Sequence, residues 1–102
     1  MKSIILDLEN YLSWRSPNID LEIRVVGGDA IVLTVSKNGH DAEAKHLDVK
    51  GSGLVIKSGE WYTVETVGTR SEICFDIDSF EERIADADWI PVPRGRGVHI
   101  LD

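Results

Sequence analysis

The chain has one cysteine, one methionine and three prolines among its 102 residues. A lone cysteine cannot form an internal disulfide, which points to a reducing, cytoplasmic setting. No apolar stretch reaches the roughly 18 residues that a membrane-spanning helix needs. Asp7 and Glu9 interrupt the N-terminal apolar residues where a secretory leader would be continuous, so no leader is expected. Positive charge is also scarce. Lys and Arg number 11 against 18 Asp and Glu, a formal charge of -7, and phosphate neutralisation needs the opposite balance, so free nucleic acid is excluded as a partner.

Catalytic signatures are equally thin. Gly27-Gly28 and Gly51-Ser52-Gly53 lack the lysine and hydroxyl residue that complete a phosphate loop, and both fit turns. Arg94-Gly95-Arg96-Gly97 is too short for an RNA-binding arginine-glycine tract. His40, His46 and His99 have no metal-ligand spacing. Cys74 lies between Glu72 and Asp76 in alternation, and nearby carboxylates make a thiol a poorer nucleophile. These residues predict no catalytic centre, no metal and no cofactor.

What is present is regular hydrophobic patterning, with 42% of residues hydrophobic, enough for one domain over residues 1–102 and too little for two. Ile4, Ile5, Leu8, Tyr11 and Leu12 share a stripe at helical spacing behind Ser3 as a cap, which predicts an N-terminal helix. Leu6 lies off that stripe and keeps a short strand at 4–8 open. From Ile19 the period becomes two. Ile19, Leu21, Ile23 and Val25, then Ile31, Leu33 and Val35, alternate with more polar residues. A three-residue loop at Gly27-Gly28-Asp29 would set Val25 opposite Ile31 and Ile23 opposite Leu33.

Asn38-Gly39 is a two-residue hairpin signal that pairs Val35 with Ala42, Leu33 with Ala44 and Ile31 with His46. Further strands are predicted at 54–56, 61–67 and 72–77. Hairpins at Ser58-Gly59 and Gly68-Thr69 would pair Val55 with Tyr62, Val64 with Ile73 and Tyr62 with Phe75. Ser79 and Glu82 have capping-box spacing before Phe80, Ile84 and Ala87, which predicts a short C-terminal helix. The predicted fold is therefore α+β: an antiparallel meander sheet of about five to seven strands with both helices packed on one face.

Charge is distributed unevenly. Residues 72–88 hold Glu72, Asp76, Asp78, Glu81, Glu82, Asp86 and Asp88 against Arg83 alone, while the other 85 residues are nearly neutral. The Gly68-Thr69 register sets Glu65 opposite Glu72 and Trp61 opposite Asp76. Like charges across a ladder are destabilising, as are acids at a helix C-terminus, where Asp86 and Asp88 would fall. Local costs of this kind mark candidates for function.

Trp61, Glu65, Glu72, Asp76, Asp78, Glu81, Glu82, Asp86 and Asp88 are thus the candidate partner-binding residues. They suit a basic protein, with the acids steering encounter. In size, α+β pattern, acidity and lack of catalytic residues the chain resembles the bacterial immunity proteins of contact-dependent growth inhibition systems. The resemblance implies a non-catalytic cytoplasmic inhibitor that binds a cognate toxin domain, most simply a nuclease, tightly and one to one without a cofactor; the chain itself is expected to be a monomer or weak dimer. A secretion chaperone or assembly adaptor is the alternative, and a small ligand-binding or enzymatic domain stands third.

Overall fold

Without a helix to cover it, the apolar face of an alternating sheet must meet a second sheet. The computed structural model describes residues 2–85, and no helix occurs among them. Nine strands do: β1 (Lys2–Asp7), β2 (Leu12–Pro17), β3 (Leu21–Gly28), β4 (Ile31–Ser36), β5 (Glu43–Leu47), β6 (Leu54–Ile56), β7 (Trp61–Thr66), β8 (Arg70–Phe75) and β9 (Glu82–Ile84). They form two antiparallel sheets, ordered β1-β8-β3-β6 and β5-β4-β7-β2-β9. The first eight strands make a jelly roll, two four-stranded sheets in which the chain repeatedly changes sheet. β9 extends the second sheet beyond β2.

The two-residue period was a sound guide to which side chains are buried. Leu21, Ile23 and Val25 of β3, Ile31 and Leu33 of β4, Tyr62 and Val64 of β7, and Ile73 and Phe75 of β8 are all buried in one core. Each aliphatic member contributes about 1.5–3 kcal/mol by leaving water.

The α+β meander is overturned. The N-terminal segment is an edge strand, in which Ile4 packs on the core and Leu6 is wholly buried. Leu8 and Tyr11, which completed the apparent helical stripe, are 74% and 58% exposed. Glu82–Ile84, within the predicted second helix, is β9 instead. Asp86, Asp88, Trp89, the 94–97 turn and His99 lie outside the described residues.

Three of the four predicted hairpins do not form. β3 and β4 belong to different sheets, as do β6 and β7, and β7 and β8. The turns are present, but they carry the chain from one sheet to the other. Glu65 therefore pairs with Val32, and Glu72 with Ile5 and Gly27. Only β4 and β5 form a hairpin, and its register differs by one residue from the expected one. Val35 faces Glu43, Leu33 faces Lys45 and Ile31 faces Leu47.

The reason lies in the loop. Asn38 Oδ1 accepts from the amides of His40 (2.8 Å) and Asp41 (2.9 Å), and Ser36 Oγ accepts from Gly39 N at 2.9 Å. These bonds stabilise six residues between the strands rather than a two-residue turn. Since one step of register exchanges the faces, Glu43 and Lys45 turn to the core side, and Ala44 and His46 turn away.

Two sheet crossings are fastened together at one end of the sandwich. Asp29 Oδ2 accepts from Thr69 N at 2.8 Å and Arg70 N at 3.2 Å, and Asp29 N donates to Arg70 O at 2.8 Å. Ser71 Oγ closes on Asp29 O at 2.6 Å. Gly28 holds φ +75°, where a Cβ would come within 2.5 Å of Arg70 O. A side chain is excluded there on both counts.

Candidate functional site

The altered β4–β5 register builds a cleft of about 470 Å³ between edge strands β5 and β6. That volume is within the range of small-molecule sites. Its apolar part comes from Val35, Ala42, Leu54 and Val55. Val55 is 47% exposed, so a ligand could cover it. Three basic residues, Lys37, Lys45 and Lys57, line the cleft together with three acidic ones, Asp41, Glu43 and Glu60. In an acidic protein this is a locally balanced site.

Each charged group has a local reason for its place. Lys45 Nζ lies 3.4 Å from Glu43 Oε1, because residues two apart on β5 share a face. Both side chains remain in contact with water, at 48% and 75% exposure, so this is a weak ion pair that a ligand can enter. Asp41 Oδ2 accepts from Asn38 Nδ2 at 3.2 Å. Glu60 Oε1 accepts from Lys57 N at 2.9 Å, closing the tight turn that places Gly59 at φ +89°. Lys57 Nζ also reaches Asp20 Oδ2 at 3.6 Å.

A second polar cluster sits where β2, β7 and β9 meet. Tyr62 is fully buried and donates its phenol proton to Glu82 Oε2. Arg15 Nη1 lies 3.6 Å from Glu82 Oε1. Burial, and then the adjoining carboxylate, raise the phenol's pKa well above its ordinary value, so it stays a proton donor. Among the described residues, no group of three or more His, Cys, Asp and Glu is placed to hold a metal ion. Cys74 is buried.

Among the described residues, the candidates read from the sequence do not come together on one face. Glu65 and Glu72 flank buried neighbours in alternation, so each projects from the outer face of a different sheet. Asp76 Oδ1 accepts from Glu22 N at 2.9 Å. Asp78 and Glu81 are exposed in the segment leading to β9, where Glu81 N donates to Asn18 Oδ1. Glu82 turns inward to Tyr62. Trp61 is half-buried with the Arg83 guanidinium 5.3 Å from its ring centroid. The described part of the acidic segment is thus distributed over several surfaces. None of the cleft's charged residues was among the candidates, and the signal that could have found them was Asn38 followed by Asp41, an Asx-type loop rather than a tight turn.

No protein-family model matches the chain, and no curated protein matches it. Among solved structures, it is similar to a dTDP sugar isomerase from Desulfovibrio desulfuricans G20. The TM-score is 0.69 and the identity 18%, over 95% of this chain and 72% of that one. The likeness shows the fold, a jelly roll shared with an enzyme. It overturns the reading of the chain as a non-catalytic immunity protein, which rested on an α+β fold and one acidic face. Neither that reading nor the adaptor alternative is kept. Among the described residues no helix is long and apolar enough to cross a membrane.

Proposed function

We propose that the protein binds a sugar derivative in the cleft between β5 and β6 and catalyses a proton transfer beside its carbonyl group, an isomerase-type reaction. One observation carries this reading: an apolar floor and the Glu43–Lys45 pair share a cleft of small-molecule size. The likeness to a dTDP sugar isomerase supports a sugar as the class of ligand. A sugar ring has an apolar C–H face that suits Leu54 and Val55, and a rim of hydroxyls that donate to Asp41 and Glu60. Lys37 and Lys57 suit a phosphate or other anionic substituent.

In the reaction, the Glu43 carboxylate takes the proton from the carbon next to the carbonyl. The C–H electron pair moves into an enolate, whose oxygen the Lys45 ammonium stabilises. The hydroxyl on the neighbouring carbon passes its proton to the enolate oxygen and becomes the new carbonyl, while Glu43 returns the abstracted proton to the former carbonyl carbon, so the carbonyl moves by one position.

The test is incubation with a dTDP-linked keto sugar in deuterium oxide, followed by NMR. Wild-type protein should introduce deuterium beside the carbonyl, and Glu43→Gln should abolish this while leaving binding intact. Absence of exchange, together with no ligand-induced shift of the Leu54 and Val55 methyl resonances, overturns the reading.

A further inference from the structure

Arg15 and Tyr62 face each other across the β2–β7 ladder, on the core side of the second sheet. Arg15 is fixed by its own strand. Its Nε donates to Ser13 O at 2.9 Å and its Nη2 to Ser13 Oγ at 3.3 Å. Those bonds leave Nη1 directed toward Glu82. The Tyr62 phenol donates to the other oxygen of the same carboxylate. One carboxylate therefore bridges two donors that strands β2 and β7 hold in place.

That carboxylate arrives on the least buried of the strands around it. β9 has three residues, pairs among the described residues with β2 alone, and leaves Ile84 57% exposed. Beyond its three-residue ladder to β2, its hold on the sandwich is mostly polar: Glu82 on the inner side, the Arg83–Trp61 contact on the outer side, a pair of bonds between Asn18 and Glu81, and one from Ala85 N to Trp14 O. Short edge strands with little apolar burial open at low cost.

We infer that Arg15 and Tyr62 form a carboxylate-binding site, which Glu82 of β9 occupies as an internal ligand and which a small carboxylic acid can take in its place. The chemistry is specific. A guanidinium and a phenol about one carboxylate apart match the two oxygens of a monocarboxylate, with charge-assisted hydrogen bonds in a site shielded from water. Arg15 and Glu82 keep 20% and 14% side-chain exposure, so the site touches solvent without complete unfolding of β9. This inference is independent of the sugar-binding cleft.

The probe is acetate, titrated into the full chain carrying Glu82→Ala, with chloride at equal ionic strength as the control. Saturable shifts of the Tyr62 ring and Arg15 Nε–H resonances are expected, with acetate bound about tenfold or more tighter than to wild type. Adding Arg15→Gln should abolish the shifts. If E82A does not fold, Glu82→Gln keeps the side-chain shape without its charge, and acetate should displace the amide with the same resonance changes. A folded E82A or E82Q protein with no saturable response to acetate overturns the inference, as does a response that survives Arg15→Gln.

Discussion

The Asp29 carboxylate accepts the Thr69 amide proton at 2.8 Å, joining two sheet crossings that are 40 positions apart in the chain. The bond from Arg70 N to the same oxygen and the Ser71 hydroxyl on Asp29 O make the junction a fixed corner of the sandwich. No run of local sequence reports this contact, because its partners belong to different turns.

Asp29 should make the fold acid-sensitive. The two backbone amides lower its carboxyl pKa below the ordinary 3.8. A depressed pKa stabilises the fold above the unfolded-state value, and that contribution is lost as pH falls through the folded value. Asp29→Asn should therefore lower the melting temperature most at neutral pH. The gap from wild type should close below about pH 3.8, as thermal melts over a pH series will record.

Gly28 and Gly59 both hold positive φ, but their surroundings differ. A Cβ at Gly28 meets Arg70 O at 2.5 Å, whereas nothing lies within 4 Å of one at Gly59. Gly59→Ala should cost about 1 kcal/mol, the backbone penalty alone. Gly28→Ala should cost about 3 kcal/mol or more, because strain and steric overlap combine. Denaturant unfolding of the two variants checks the order.

Asn38 shapes the cleft through two backbone bonds. Asn38→Ala should destabilise the fold by about 1 kcal/mol, typical of a lost hydrogen-bonding loop residue. It should weaken ligand binding more than that figure implies, since Lys37 and Asp41 lie in the same loop. Calorimetric titration beside a thermal melt separates the two effects.

Charge in the cleft should read out as ligand preference. Lys37→Ala and Lys57→Ala should each weaken a phosphate-bearing sugar derivative about fivefold and leave the matching neutral sugar unchanged. Wild-type affinity for the charged ligand should fall with added salt. Equal losses for both ligands would place these lysines away from the substituent.

Much of the core was legible because burial in a strand needs only local alternation. Ile23, Leu33, Val64 and Ile73 carry it in any pairing scheme. Which strands become neighbours was not legible. A tight turn such as Ser58-Gly59 reverses the chain equally well within a sheet or between two, and only the need to cover an exposed apolar face decides. The helical stripe of 4–12 failed for a similar reason: Ile4 and Leu6 gain more beside β8 than Leu8 and Tyr11 would gain in a helix. The candidate cleft went unread because its charges depend on one residue of register between β4 and β5. The Asn38 side chain sets that register through contacts that no hydrophobic pattern records.

Every connection except β4–β5 moves the chain to the opposite sheet, and Lys2 ends beside Phe75. Contact order is correspondingly high, because loop closure over most of the chain must precede much of the first sheet's ladder. Refolding should therefore take milliseconds to seconds rather than microseconds. A nascent chain released before β8 emerges would leave β1 and β3 as unpaired, aggregation-prone edges.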